Sequence, residues 1–133
     1  MIRRLARRFR RSERGAAMVE FAIVVLLLFT LLFGIIEFGW ILNGYITLTG
    51  AARDGARMAV VRDSNDLGEI KQVVIDRAAT FNLDPGDIGV NFGSFSGAPT
   101  IVTVDGELPL AVGFFPINNP FAINVEVSMK HEK

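Results

Sequence analysis

The sequence predicts an α+β protein with a long N-terminal transmembrane helix, a second short helix and a small three-stranded antiparallel sheet. Three observations predict it. An almost uncharged run covers residues 16–42; a short amphipathic segment follows a polar turn at 62–66; and beyond residue 86 apolar residues alternate with polar ones.

The charge distribution bounds the reading. The formal net charge is zero, yet residues 1–15 hold seven Arg and one Glu, a net +6. Residues 16–133 hold seven Lys or Arg against thirteen Asp or Glu, a net −6. A basic head directly before an apolar run is a topology signal rather than a nucleic-acid arm. With no cysteine, disulfides, zinc–thiolate sites and thiol catalysis are excluded. A small exported domain of this kind relies on its core or on assembly with partners.

The first element is Ala16–Leu42, which contains only Glu20 and Glu37 as charged residues. At 1.5 Å per residue its length is about 40 Å, and a bilayer core requires about 20 apolar residues. The arginines before it place the N-terminus in the cytoplasm, and the single Trp40 and Tyr45 suit the opposite interface. No proline interrupts the run, so an unkinked helix is expected. The apolar core is too long for an ordinary secretory signal, and no small-x-small cleavage site follows it. Gly44, Gly50 and Gly55 weaken the helix, so a break or bend is expected near 43–50.

The second element begins after the polar turn Arg62–Asp66. Asp66 and Glu69 have the spacing of a capping box, and a helix is expected from about Leu67 to Phe81 with Ile70, Val73, Val74, Ala78 and Phe81 on one face. The acids of 63–69 lack the alternating spacing of a calcium loop. Asp84 and Asp87 flank a Pro-Gly turn and read as turn residues. Strands follow at Ile88/Val90/Phe92, at Ile101–Val104 and at Ile123/Val125/Val127, with a Gly/Ser turn at 94–99. The connection 106–120 is apolar and proline-rich. Phe114 and Phe115 in it are either core cover or, if exposed, an interaction patch. The expected organisation is a leader at 1–15, a transmembrane helix at 16–42 and an extracytoplasmic α+β domain at 43–133.

Nothing in the sequence points to catalysis. The only His is His131, near the end, and there is no nucleophile elbow, phosphate loop or metal-ligand cluster. No enzyme activity, cofactor, metal or nucleic-acid partner is expected.

Two motifs carry more specific information. Residues 12–21 read Ser-Glu-Arg-Gly-Ala-Ala-Met-Val-Glu-Phe. A basic leader, Gly15, then Glu20 and Phe21 as the fifth and sixth residues after it, resembles the prepilin peptidase site of type IV pilins. The resemblance implies cleavage between Gly15 and Ala16, with Glu20 and Phe21 serving recognition and assembly. Glu20 lies one helical turn from the new Ala16 amine, and pairing with that amine or a neighbour's would offset the cost of a carboxylate in a membrane helix.

The second motif is Ile36-Glu37-Phe38-Gly39, followed by Ala51-Ala52-Arg53-Asp54-Gly55-Ala56-Arg57-Met58-Ala59. With the first, it resembles the TadE-like pseudopilins, minor pilins of the Tad (Flp) pilus system, over roughly residues 12–61. Two departures stand out: family members usually carry Glu where Asp54 stands, and many have a proline within the apolar run. Chain length and Phe21 favour the minor class over the shorter major Flp pilins. The resemblance implies a pilin-like fold, a bacterial inner-membrane location and, after processing, a place in an extracellular filament as a homo- or hetero-oligomer. It implies as partners the prepilin peptidase, the major Flp-type pilin, other minor pilins and the inner-membrane assembly platform, with a role in adhesion. A major filament subunit and an uncleaved, membrane-anchored binding protein are the competing readings.

Ala51, Gly55 and Ala59 fall on one helical stripe, where small residues permit close approach. The stripe is read first as the seam against the chain's own C-terminal domain and second as a partner-docking face. Arg53 and Arg57 share a face and repel mildly, and Asp54 is placed to offset this.

Overall fold

A computed structural model describes residues 2–61, 66–93, 98–113 and 120–130, with side chains from residue 14 onward. Phe114, Phe115, His131, most of the turn at 62–66 and most of the turn at 94–99 lie outside the described residues.

Helix α1 runs Ile2–Val61. No break occurs at 43–50, contrary to the expectation from its glycines. Tertiary packing overrides helix propensity here. A Cβ on Gly44 would come within 2.9 Å of Leu108 Cδ2, and one on Gly55 within 2.5 Å of Val74 Cγ2. These two glycines are therefore points of close approach, and packing against the domain holds the helix through them. Gly50 meets nothing within 4 Å, and no contact explains it.

The chain divides into two compact units, Met1–Ile36 and Glu37–Lys133. The first is helix alone. Most of its described apolar side chains are exposed, among them Phe21, Ile23, Leu28 and Leu31, while Val25 and Phe33 are half-buried. Within it Thr30 Oγ1 donates to the Leu26 carbonyl at 2.9 Å, which internally satisfies its hydroxyl, and Phe29 stacks on Phe33.

The second unit contains the rest of α1, helix α2 (Leu67–Arg77), short 3₁₀ turns at Ala79–Phe81 and Pro85–Asp87, and strands β1 (Ile88–Asn91), β2 (Pro99–Leu108) and β3 (Phe121–Lys130). The sheet order is β1-β2-β3, antiparallel throughout. Val104 pairs with Ile88 on one side and Val125 on the other, so three apolar side chains lie abreast on the inner face. Alternation along β2 turns Val102, Val104 and Leu108 inward while Asp105 and Glu107 face out. Leu48, Ala52, Ile70, Val74, Val102 and Val104 form the centre of the core between the helices and the sheet.

Helix α2 stops earlier than its periodicity predicts. It ends at Arg77, the chain tightens into a 3₁₀ turn that buries Phe81, and Asn82 closes it in the left-handed region (φ 48°). Asn tolerates that conformation better than most residues. Asp66 occupies the N-cap, but at φ −93° and ψ 17° its side chain makes no capping hydrogen bond, so the expected capping box does not form. A reciprocal arrangement closes the Pro85 turn instead. The Asp84 N–H donates to Asp87 Oδ2 at 2.8 Å and the Asp87 N–H to the Asp84 carbonyl at 3.0 Å. Strand β2 also continues to Leu108, three residues into the connection expected from 106.

The two glycine environments give opposite predictions. Gly55→Ala should destabilise the full chain in detergent by about 1–3 kcal/mol, because fully buried Val74 cannot yield space. Gly50→Ala should stabilise it by up to about 1 kcal/mol, since the added methyl meets open space. Chemical denaturation followed by circular dichroism measures both.

Candidate functional site

The segment expected to be processed lies on α1 in the first unit. Gly15, Ala16, Glu20 and Phe21 are all exposed, and Phe21 keeps 69% of its surface. No side chain lies within 4 Å of the Cβ position of Gly15. The Gly15–Ala16 bond is helical, so any cleavage there would require local unwinding, whose cost glycine lowers. Glu20 carries no hydrogen bond from any described residue. An exposed carboxylate on an apolar helix is costly in a bilayer centre, about 3 kcal/mol on insertion scales, and an intermolecular cation would remove that cost.

The second motif divides by face. Ala51, Gly55 and Ala59 are buried in the second unit's own core, together with Ala52 and Ala56. Their small size lets α2 and β2 approach, with Val74 and Val102 over Gly55. Arg53 and Arg57 project from the opposite side and are exposed. Asp54 does not serve Arg57; it pairs with Arg77 of α2 at 3.1 Å. Both partners of this pair are well exposed, at 69% for Arg77 and 47% for Asp54, so it contributes little to stability.

The residue that sequence reading missed is Glu37. It was visible only as the end of a charge-free run and as part of a family-like motif. In the structure it is 2% exposed. The chain after β2 folds over it: the Ala111 N–H donates to Oε1 at 2.8 Å, and the Val112 and Gly113 N–H groups donate to Oε2 at 2.9 and 3.2 Å. Three converging amides make a concave anion cradle, here filled by the chain's own carboxylate. Gly113 has φ +61°, which only glycine adopts freely, and so brings its N–H to the same oxygen as Val112. One turn further along α1, Trp40 Nε1 donates to the Pro109 carbonyl at 3.0 Å. The signal for this latch was present in principle. A lone carboxylate in an apolar helix requires donors, and the uncharged stretch 108–113 has backbone donors but no ionic partner of its own.

A separate open groove of about 520 Å³ is lined in part by Asp84, Asp87, Asp105 and Glu107. Asn124 Nδ2 donates to Asp105 there. Among the described residues no group of acids and histidines is placed to hold a metal ion.

The geometry defines a class: an α+β protein that has, among the described residues, one N-terminal helix long and apolar enough to cross a membrane, and a second unit whose loop after β2 is held on a buried glutamate. Comparison with known families narrows it. Residues 15–57 match the model of the TadE-like protein family, a segment that starts at Gly15 and closes on the Arg57 motif. The chain is therefore TadE-like over that segment, which suggests a protein associated with a Tad pilus. No curated protein and no solved structure matches the chain.

Removing the Glu37 carboxylate tests the latch. Glu37→Ala leaves three amides without their acceptor and should cost more than about 2 kcal/mol. Glu37→Gln keeps one oxygen and should cost less. Hydrogen exchange of the full chain in detergent should show the amides of 111–113 accelerated most in the alanine variant, with those of β2 residues 102–104 changed least.

Proposed function

We propose that this chain is a TadE-like minor pilin of a Tad/Flp-type pilus. In this reading residues 1–15 are a cytoplasmic leader, α1 spans the inner membrane once, and the domain from Glu37 onward faces outward. Prepilin peptidase cuts between Gly15 and Ala16. The freed Ala16 amine pairs with Glu20 of the same or a neighbouring subunit. The exposed apolar surface of α1 then exchanges lipid for neighbouring helices in the filament. The partners are the peptidase, the major pilin, other minor pilins and the assembly platform. The chain contributes to pilus biogenesis and adhesion as a structural subunit, not as an enzyme.

The observation that carries this reading is the family match beginning at Gly15, with Glu20 and Phe21 at their spacing on an exposed apolar helix. The electrostatics supports it. Glu37 has its donors within the domain, whereas Glu20 has none among the described residues. Of the two carboxylates in the apolar run, Glu20 is thus the one suited to a partner outside the fold.

Intact mass and N-terminal sequencing of the native membrane protein, with and without the peptidase, provide the test. A chain beginning at Ala16 only when the peptidase is present is expected. Retention of residue 1 in both cases would replace this reading with a permanently anchored binding protein. In a strain assembling pili, Glu20→Ala should still insert in the membrane but be depleted from sheared filaments. Incorporation at the wild-type level would rule out the pairing role.

A further inference from the structure

The charge-free window of α1 is short for a bilayer. Phe21–Ile36 contains 16 residues, about 24 Å of helix, against a hydrocarbon core of about 30 Å. The remaining ~6 Å, about four residues at the same rise, must come from one end or the other. At the N-terminal end stands Glu20, exposed along the helix. At the other end stands Glu37, buried and held by three amides, and after it no charged residue occurs before Arg53. The Glu37 end is therefore the one that enters hydrocarbon without exposing a charge.

Whatever surrounds Glu37 and Trp40 also surrounds the loop fastened to them. That loop, residues 109–113, has no ionisable side chain. Irregular backbone at membrane depth is tolerated only where its polar groups are satisfied internally. Here the groups that face α1 are satisfied in this way. Pro109 has no N–H, and its carbonyl accepts from Trp40; the amides of Ala111, Val112 and Gly113 all donate to Glu37. The loop's outward side chains are apolar, with Ala111 exposed and Val112 at 40%. On α1 beside it, Phe38 and Trp40 are also exposed. In water this would be an apolar patch without a function. In a leaflet it continues the apolar surface of the helix.

We propose that the loop 109–113 seats in the bilayer leaflet on the domain's side, with Trp40 at its interface. Glu37 is then an internal counter-group that makes both the helix and the loop compatible with lipid. The occupant of this surface is the lipid bilayer itself, and the proposal rests on α1 spanning the membrane as read above.

The absence of cysteine makes the test clean, because any introduced thiol is unique. Full-length Val112→Cys carries a bimane probe in phosphatidylethanolamine–phosphatidylglycerol vesicles whose acyl chains are brominated either near the headgroup or, to reach Leu28, near the chain end. Leu28→Cys, within the apolar run, and Ser128→Cys, exposed on β3, are the references. The intrinsic fluorescence of Trp40, the single tryptophan, is read in the unsubstituted chain. Strong quenching at Val112 and Trp40, with none at Ser128, is expected. Quenching at Leu28 without quenching at Val112 would overturn the loop's placement and leave the spanning helix intact. No quenching at Leu28 would overturn the spanning reading and this proposal with it. A Val112 probe shielded from aqueous iodide but not quenched by lipid would assign the loop to a subunit contact and overturn the proposal as well.

Discussion

A carboxylate in an apolar helix is tolerable only with donors, and the three amides over Glu37 are the constraint on which the domain's arrangement depends. They come from one short loop, so meeting the carboxylate fixes where the chain leaves β2. Leu108, at the end of β2, packs over Gly44, two turns along α1. The same loop is tied a second time through Trp40 and Pro109. The end of the sheet is thus set against α1 by polar contacts that permit little sliding. Hydrophobic contacts alone would be far less particular about register.

Beyond that latch, packing is governed by small residues. Ala51, Ala52, Gly55, Ala56 and Ala59 leave a shallow face on α1, and Val74 and Val102 close onto it. Each contributes little apolar area, but together they let helix and sheet approach closely enough to bury the larger Leu48, Ile70 and Val104. The arginines on the other side of the same helix stay in solvent. One stretch of sequence therefore holds both a core seam and a charged outer face, and the seam has no remaining surface for a partner.

The two carboxylates of the apolar run have opposite environments. Glu37 is buried with its donors, whereas Glu20 lies exposed on the helix. That asymmetry gives them different tasks, one within the chain and one proposed between chains. It also explains why Glu37 was not singled out on sequence grounds. Spacing to a cleavage motif marks Glu20, but the donors to Glu37 lie 74 to 76 residues away in the chain.

The sequence by itself determined the elements whose signals are local. The apolar run fixes the long helix, alternation fixes the three strands, and the Gly15–Glu20–Phe21 spacing with the Arg57 segment points to the TadE-like family. These are legible because a helix or strand announces its buried face at short range. Local signals misled where tertiary contacts compete with them. Gly44 and Gly55 read as a weak point yet sit in an unbroken helix, and Asp66 reads as a box-forming cap yet makes no capping bond. Only the tertiary structure decided that the small-residue stripe faces the chain's own core, that Asp54 turns to Arg77, and that Glu37 holds the loop after β2. Each of those depends on which distant backbone arrives beside the helix. Close approach and donor convergence are properties of two segments together, and neither segment's sequence specifies them alone.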